Sequence, residues 1–163
     1  MTKSLIQMAE PVGRLLKERG ETVAVSESAA GGLISAALLS VPGASAYFLG
    51  GASVYTRPAR RAILRYDEAK ATMRGSTEEY ALLCATTIRG LLESDWAIGE
   101  SGAAGPSGNR YGDPAGHVAV AVAGPVSASR IVQTGRDDRE ANMWAFTEAA
   151  LALLRETLEG NPK

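Results

Sequence analysis

The spacing of apolar residues along the chain predicts helices that alternate with strands. Apolar positions at helical spacing predict an opening helix over residues 4–19, in which Pro11 is expected to cause a kink or a break. An apolar run then predicts a first strand at residues 22–25. Helical spacing returns at Gly32 and predicts a second helix over residues 32–41, which the following Pro-Gly pair ends.

The same patterns continue through the rest of the chain. Weak alternation at residues 44–55 predicts a strand with a bulge or a close backbone approach at Gly50 and Gly51. Ser76, with Glu79 three residues later, predicts a capped helix start. The remaining predicted elements are a helix at 56–64, a helix from Ser76 to about residue 92, strands at 96–100, 117–123 and 129–133, and a last helix from Asp137 or Asp138 to about residue 158. The resulting order favours an α/β fold: a three-layer α/β/α sandwich around a mixed, mostly parallel sheet of about five strands.

Composition narrows the class of protein. With 163 residues, 45% of them hydrophobic, the chain is expected to form one domain over residues 1–163. A net charge of −1 and 6% aromatic residues argue against nucleic acid and anionic membranes as partners. Cys84 and His117 are the only residues of their types, which excludes an intramolecular disulfide and argues against a metal site. No apolar run reaches membrane-spanning length, so a cytoplasmic protein is expected.

The turn after the first strand is a candidate site. It places Ser28 just before Gly31 and Gly32, which allow positive φ or a close approach of the backbone to a ligand. The first N–H groups of the next helix have no partner within that helix and point above the strand. A hydroxyl beside such donors suits nucleophilic acyl chemistry, and it equally suits phosphate binding without chemistry. The plainest alternative is a strand-to-helix turn with no function.

A second candidate is the glycine- and proline-rich segment 101–116. A segment of this length without regular structure is uncommon in a compact domain unless it is functional. Because it also follows a predicted strand, we expect it to open on the same sheet edge as Ser28. The basic residues of the 56–64 helix, by contrast, are most simply a solvated helix face.

Three motifs together resemble the CinA C-terminal domain family, whose active members are nicotinamide-nucleotide amidases. Residues 26–32 read S-E-S-A-A-G-G, similar to the family's A-E-S-C-T-G-G. Tyr55 is followed five residues later by Arg60, where the family has Y-S-x-x-x-K. Residues 101–108 read S-G-A-A-G-P-S-G, similar to S-G-I-A-G-P-x-G. The resemblance covers about residues 5–154 and implies the stand-alone form of the domain.

The resemblance implies hydrolysis of the nicotinamide carboxamide of nicotinamide mononucleotide to the acid and ammonia. By position, Ser28 is implied as the nucleophile and Tyr55 as an aid to proton transfer, with Arg60 as the third residue of the catalytic set. The implied binding residues are the backbone of Ala30, Gly31 and Gly32 for the oxyanion, and Ser101, Gly102, Gly105, Pro106 and Gly108 for the nucleotide. No metal or other cofactor is implied. The implied partner is a small nucleotide-like molecule, and a homo-oligomer is expected.

The departures from the family pattern weaken the amidase prediction. Arg60 replaces a lysine, and arginine does not lose its proton at neutral pH, so it cannot accept the serine proton. Two other residues could act as the base: His117, which otherwise serves a structural role, and Glu27, which otherwise fixes the turn. The alternative function is therefore a non-catalytic relative that binds a nucleotide or another small anion.

Overall fold

The computed structural model describes residues 1–66, 70 and 72–163. Its helices are α1 (Leu5–Arg19), α2 (Leu33–Ser40), α3 (Arg57–Leu64), α4 (Glu78–Leu92) and α5 (Arg139–Gly160). Its strands are β1 (Val23–Glu27), β2 (Phe48–Ser53), β3 (Trp96–Ala103), β4 (His117–Ala123) and β5 (Ala128–Gln133). A single 3₁₀ turn, Ala44–Ala46, precedes β2.

The five strands form one mixed sheet in the order β2-β1-β3-β4-β5. Strand β1 pairs parallel to both β2 and β3, whereas β4 runs antiparallel to β3 and to β5. Four strands therefore share one direction, as the sequence predicts. Because β1, β2 and β3 are parallel, the segments that follow them meet at one edge of the sheet.

Two layers of helices cover the sheet, which confirms the predicted sandwich. Helices α1, α2 and α5 bury Leu16, Ile34 and Phe146 against the valine-rich side of β1 and β4. Helix α4 buries Tyr80 and Cys84 against the other side. Gly99 permits this close packing, since a Cβ atom there would lie 1.9 Å from the carbonyl oxygen of Ala81.

Several predicted boundaries are wrong. Helix α1 runs through Pro11, so the predicted break does not occur; the burial of Met8, Ala9 and Val12 around the proline stabilises the helix there. Thr77, and not Ser76, caps α4: its hydroxyl accepts from the N–H of Tyr80, while Ser76 has a positive φ of 57°. The first strand extends to Glu27, and the irregular pairing before Gly50 confirms the predicted bulge.

Strand β3 also differs from its predicted end at residue 100. It continues to Ala103 because β4 pairs with it along its whole length, from Ala97 with Ala123 to Ala103 with His117. Ser101 and Gly102 are therefore strand residues and not loop residues. The irregular segment between β3 and β4 begins only at Ala104.

Candidate functional site

A cleft of about 360 Å³ opens at the sheet edge where β1, β2 and β3 end. Five of the predicted site residues line it together: Ser28, Tyr55, Arg60, Ser101 and Gly102. The other lining residues are Arg57, Gly75, Ser76, Asn109, Arg110 and Tyr111. The two predicted segments thus converge on one cleft, because parallel strands deliver their ends to the same edge.

Glu27 fixes the turn that carries Ser28. The buried Glu27 carboxylate accepts hydrogen bonds from the N–H groups of Gly32 (2.8 Å), Ile34 (3.1 Å) and Ser35 (2.9 Å), and from the Ser35 hydroxyl (2.8 Å). An anionic acceptor is favourable there because the start of α2 leaves unpaired donors with partial positive charge. Glu27 therefore acts as a structural cap, which was one of its two predicted roles.

The Glu100 side chain accepts hydrogen bonds from the same turn. One of its oxygens, Oε2, accepts from the N–H groups of Ser28 and Ala30, both at 2.9 Å. Gly31 donates its N–H to the carbonyl of Ser28, at 3.1 Å. The N–H groups of Ala30, Gly31 and Gly32, which the resemblance assigns to an oxyanion, are thus all engaged within the protein.

The Glu100 carboxylate is almost fully buried, at 1% exposure. Burial raises its pKa to about 7, even though the N–H groups of Ala30 and Ser28 favour the ionised form. Its second oxygen, Oε1, has no hydrogen-bond partner among the described residues. The sequence patterns do not identify Glu100 as part of the site. The only signal is an acidic side chain at the end of an otherwise apolar strand segment.

Arg60 is held by backbone carbonyl groups. Its guanidinium donates to the carbonyl oxygens of Val54 and Tyr55, both at 3.1 Å, and lies 5.3 Å from the ring centre of Tyr80. Across the parts of the chain that the structure describes, no side chain hydrogen-bonds to the Ser28 hydroxyl. Arg60 therefore lines the cleft without a direct bond to the predicted nucleophile.

Tyr55 reaches across the cleft to the start of α5. Its hydroxyl accepts a hydrogen bond from Arg139 at 3.1 Å, and Arg139 also donates to the carbonyl oxygen of Gly105. A Cβ atom on Gly105, whose φ is 109°, would lie 2.7 Å from the carbonyl oxygen of Asp137. Gly105 thus lets the second segment pack against the start of α5. Gly105, Pro106 and Gly108, which the resemblance assigns to nucleotide binding, are not among the residues that line the cleft.

The tip of the second segment is built around Asn109. Its side-chain oxygen accepts from the N–H groups of Tyr111 (3.0 Å) and Asp113 (3.1 Å), which folds residues 109–113 into a tight turn. This turn places Arg110 and Tyr111 on the cleft wall. No motif in the sequence identified these two residues.

His117 lies beside the cleft and does not line it. Its Nε2 atom is 2.9 Å from the carbonyl oxygen of Ser76, and Asp113 lies 3.8 Å away. The side chain is buried, at 6% exposure, and ties β4 to the segment before α4. Ser101 makes a similar tie, since its hydroxyl accepts from the N–H of Ser76 at 3.0 Å. His117 therefore occupies the structural position that was the alternative to a catalytic base.

The described residues were also compared with the requirements of a metal site and of a membrane-spanning helix. They contain no group of three or more histidine, cysteine, aspartate and glutamate side chains placed to hold a metal ion. Among their helices, none combines the length and the apolar character that crossing a membrane requires.

Comparison with known proteins places these features in a family. The sequence pattern of the CinA C-terminal domain matches residues 5–158. A CinA-like protein of Prochlorococcus marinus is 41% identical over 119 residues, which are 72% of this chain and 28% of that protein. A putative competence-damage inducible protein of Halothermothrix orenii is 33% identical over 154 residues, covering 93% of this chain and 37% of that protein. The chain thus spans about a third of the length of these relatives.

Solved structures agree with the sequence comparison. A competence-damaged protein (CinA) superfamily protein from Klebsiella pneumoniae superposes with a TM-score of 0.89 at 28% identity, covering 98% of this chain and 100% of that one. The competence/damage inducible protein CihA from Agrobacterium tumefaciens gives 0.85 at 26% identity, covering 94% and 96%.

Proposed function

This chain belongs to the CinA C-terminal domain family, and on that basis we propose that it hydrolyses the carboxamide of nicotinamide mononucleotide to the acid and ammonia. The observation that carries the proposal is the convergence of Ser28, Tyr55 and Ser101 on one cleft from three separate strands. Ser28 stands on a turn held rigid by Glu27 and Glu100, so its hydroxyl presents a fixed nucleophile.

The proposed reaction has two steps. The Ser28 Oγ atom forms a bond to the amide carbon, the C–N bond breaks, and ammonia leaves with the proton that Ser28 gives up. Water then attacks the resulting ester, which releases the acid and restores the hydroxyl. Tyr55 is placed to pass the proton: because its oxygen accepts from Arg139, its own O–H remains available to the cleft.

Ammonia release tests this proposal. Purified protein incubated with nicotinamide mononucleotide is expected to release ammonia, and Ser28→Ala is expected to abolish the release. Ser107→Ala is the matched control, since Ser107 is exposed on the second segment and does not line the cleft. Absence of ammonia at high protein concentration, or an unchanged rate in Ser28→Ala, contradicts the proposal.

The surroundings of Ser28 support a second candidate, a non-catalytic relative that binds a small anion. Among the described residues that line the cleft there is no lysine, histidine or carboxylate to accept the serine proton. Arg60, at the position of the family lysine, stays protonated and is engaged with two carbonyl groups.

Arg60→Lys separates the two candidates. A lysine there can shed its proton when it is desolvated, so a catalytic cleft should gain rate. If the unmodified protein binds nicotinamide mononucleotide without turnover and Arg60→Lys releases ammonia, the second candidate describes this protein. Efficient turnover by the unmodified protein excludes the second candidate.

A further inference from the structure

Among the described residues that line the cleft, the arginines outnumber the carboxylates that could neutralise them. Arg57, Arg60 and Arg110 line the cleft, and no aspartate or glutamate does so among the described residues. Arg60 is engaged with carbonyl oxygens. Arg74, just outside, is paired with Asp113 at 2.6 Å. Within residues 1–66, 70 and 72–163, Arg57 and Arg110 have no carboxylate partner.

Arg57, Arg110 and Tyr111 line the same cleft, and the Tyr111 hydroxyl accepts a hydrogen bond there. Arg110 donates to it at 2.8 Å and lies 4.9 Å from the ring centre, while Arg74 lies 5.1 Å from the same ring. Burial raises the pKa of Tyr111, but hydrogen bonds from Arg110, the Gly75 backbone and Arg57 outweigh it, so the pKa lies below its ordinary value. The phenol oxygen thus stands where the surrounding charges favour an anionic oxygen.

We propose that Arg57, Arg110 and the Tyr111 hydroxyl form a subsite for the phosphate monoester of the ligand. A monoester phosphate carries a charge of about −1.5 to −2 near neutral pH, which matches two guanidinium groups. Guanidinium groups bind phosphate oxygens through paired hydrogen bonds, and the phenol adds a third donor. The inference rests on the proposed function, which identifies the carboxamide as the group that would lie near Ser28.

This subsite lies on a different part of the cleft from the amide chemistry. Ser28 follows β1 and is buried, whereas Arg110 and Tyr111, in the turn at residues 109–113, and Arg57, the first residue of α3, are exposed. The cleft volume of about 360 Å³ falls within the roughly 300–1,000 Å³ of small-molecule sites. A mononucleotide would thus span from the nucleophile to the arginines, and discrimination for the phosphate would depend on Arg57 and Arg110 and not on Arg60.

Calorimetric titration of four proteins tests the subsite: the unmodified chain, Arg57→Ala, Arg110→Ala and the control Arg155→Ala. Arg155 is an exposed arginine on α5 that does not line the cleft, and its Nε atom lies 3.9 Å from the carboxylate of Glu159. The ligands are nicotinamide mononucleotide, nicotinamide riboside, which lacks the phosphate, and ribose 5-phosphate, which lacks the amide.

Each cleft variant is expected to bind the mononucleotide and ribose 5-phosphate about tenfold more weakly or worse, because each loses charge-assisted hydrogen bonds. Binding of the riboside should not change, and Arg155→Ala should match the unmodified chain. An equal loss for the riboside, no loss for the phosphorylated ligands, or no binding of ribose 5-phosphate by the unmodified chain overturns the subsite. If ribose 5-phosphate behaves as expected but no ammonia is released from the mononucleotide, the subsite stands and the proposed amidase fails.

Discussion

Two groups of charged side chains, one below Ser28 and one around the mouth of the cleft, hold their charges in different ways. Below Ser28, Glu27 and Glu100 are buried and accept hydrogen bonds from backbone N–H groups. At the mouth, Arg57 and Arg110 are exposed, and Arg110 donates to the Tyr111 hydroxyl. The buried carboxylates accept from backbone groups of the fold, whereas neither arginine is paired with a carboxylate among the described residues.

This difference indicates that the buried carboxylates position the turn, whereas the exposed arginines are available to bind a ligand. A buried charge that loses its partners costs the protein stability, because the remaining donors or acceptors are cut off from water. An exposed charge that is removed costs little stability, because water screens it. Substitutions below Ser28 should therefore change unfolding, and substitutions at the mouth should change ligand affinity.

The largest expected effect is that of Glu27→Ala. It leaves three backbone N–H groups and the Ser35 hydroxyl without their acceptor; Ile34 is buried, and Gly32 and Ser35 are partly buried. Since each unsatisfied buried donor costs about 1–3 kcal/mol, we expect the free energy of unfolding to fall by roughly 3 kcal/mol or more. Urea unfolding of the two proteins measures this change in the free energy of unfolding.

Two further variants serve as references for the unfolding free energy of Glu27→Ala. Glu27→Gln keeps one acceptor oxygen and should lose less stability than Glu27→Ala. Glu18→Ala removes an exposed carboxylate from α1 and should change the unfolding free energy by less than about 0.5 kcal/mol. If Glu27→Ala unfolds at the same urea concentration as Glu18→Ala, the carboxylate does not hold the turn.

Glu100→Gln should change how stability depends on pH. The pKa of Glu100 is about 7 in the folded chain, above the ordinary 4.5, so the folded state binds the proton more tightly than the unfolded chain. This contribution to stability is complete below pH 4.5 and is lost as the pH rises through 7. Between pH 5 and pH 8 the unmodified chain should lose roughly 2–3 kcal/mol more than Glu100→Gln.

Urea unfolding at several pH values gives that difference directly, because the other titrating groups are the same in both proteins. The comparison does not depend on any constant penalty for placing an amide in the buried position. Parallel stability curves for the two proteins from pH 5 to pH 8 would show that Glu100 titrates as an ordinary carboxylate.

The sequence predicted the arrangement of the sheet better than the walls of the cleft. Ser28 and Tyr55 could be placed together because each follows a strand, and parallel strands end at a common edge. Glu100 could not be given a role, since the N–H groups it binds lie 70 and 72 residues away in the chain. The direction of Arg110 depends on how residues 109–113 close around Asn109, which no local pattern specifies.

The smallest expected effect belongs to Tyr111→Phe at the mouth. The ring remains for Arg74 and Arg110 to stack on, and only the hydroxyl that accepts from Arg110 is lost. We expect the affinity for ribose 5-phosphate to fall about two- to tenfold, with the unfolding free energy unchanged within about 0.5 kcal/mol. Tyr111→Ala also removes the stacking surface and should weaken binding further.

Ultraviolet difference titration of the tyrosines adds a readout that does not require a ligand. The chain has five tyrosines, and arginine contacts lower the pKa of Tyr111, whereas burial raises the pKa of Tyr47 and of Tyr80. The tyrosine that ionises at the lowest pH in the unmodified chain should therefore be missing from the Tyr111→Phe titration. If that first ionisation persists, the arginines at the mouth of the cleft do not lower the pKa of Tyr111, and the inferred cationic character of the mouth is wrong.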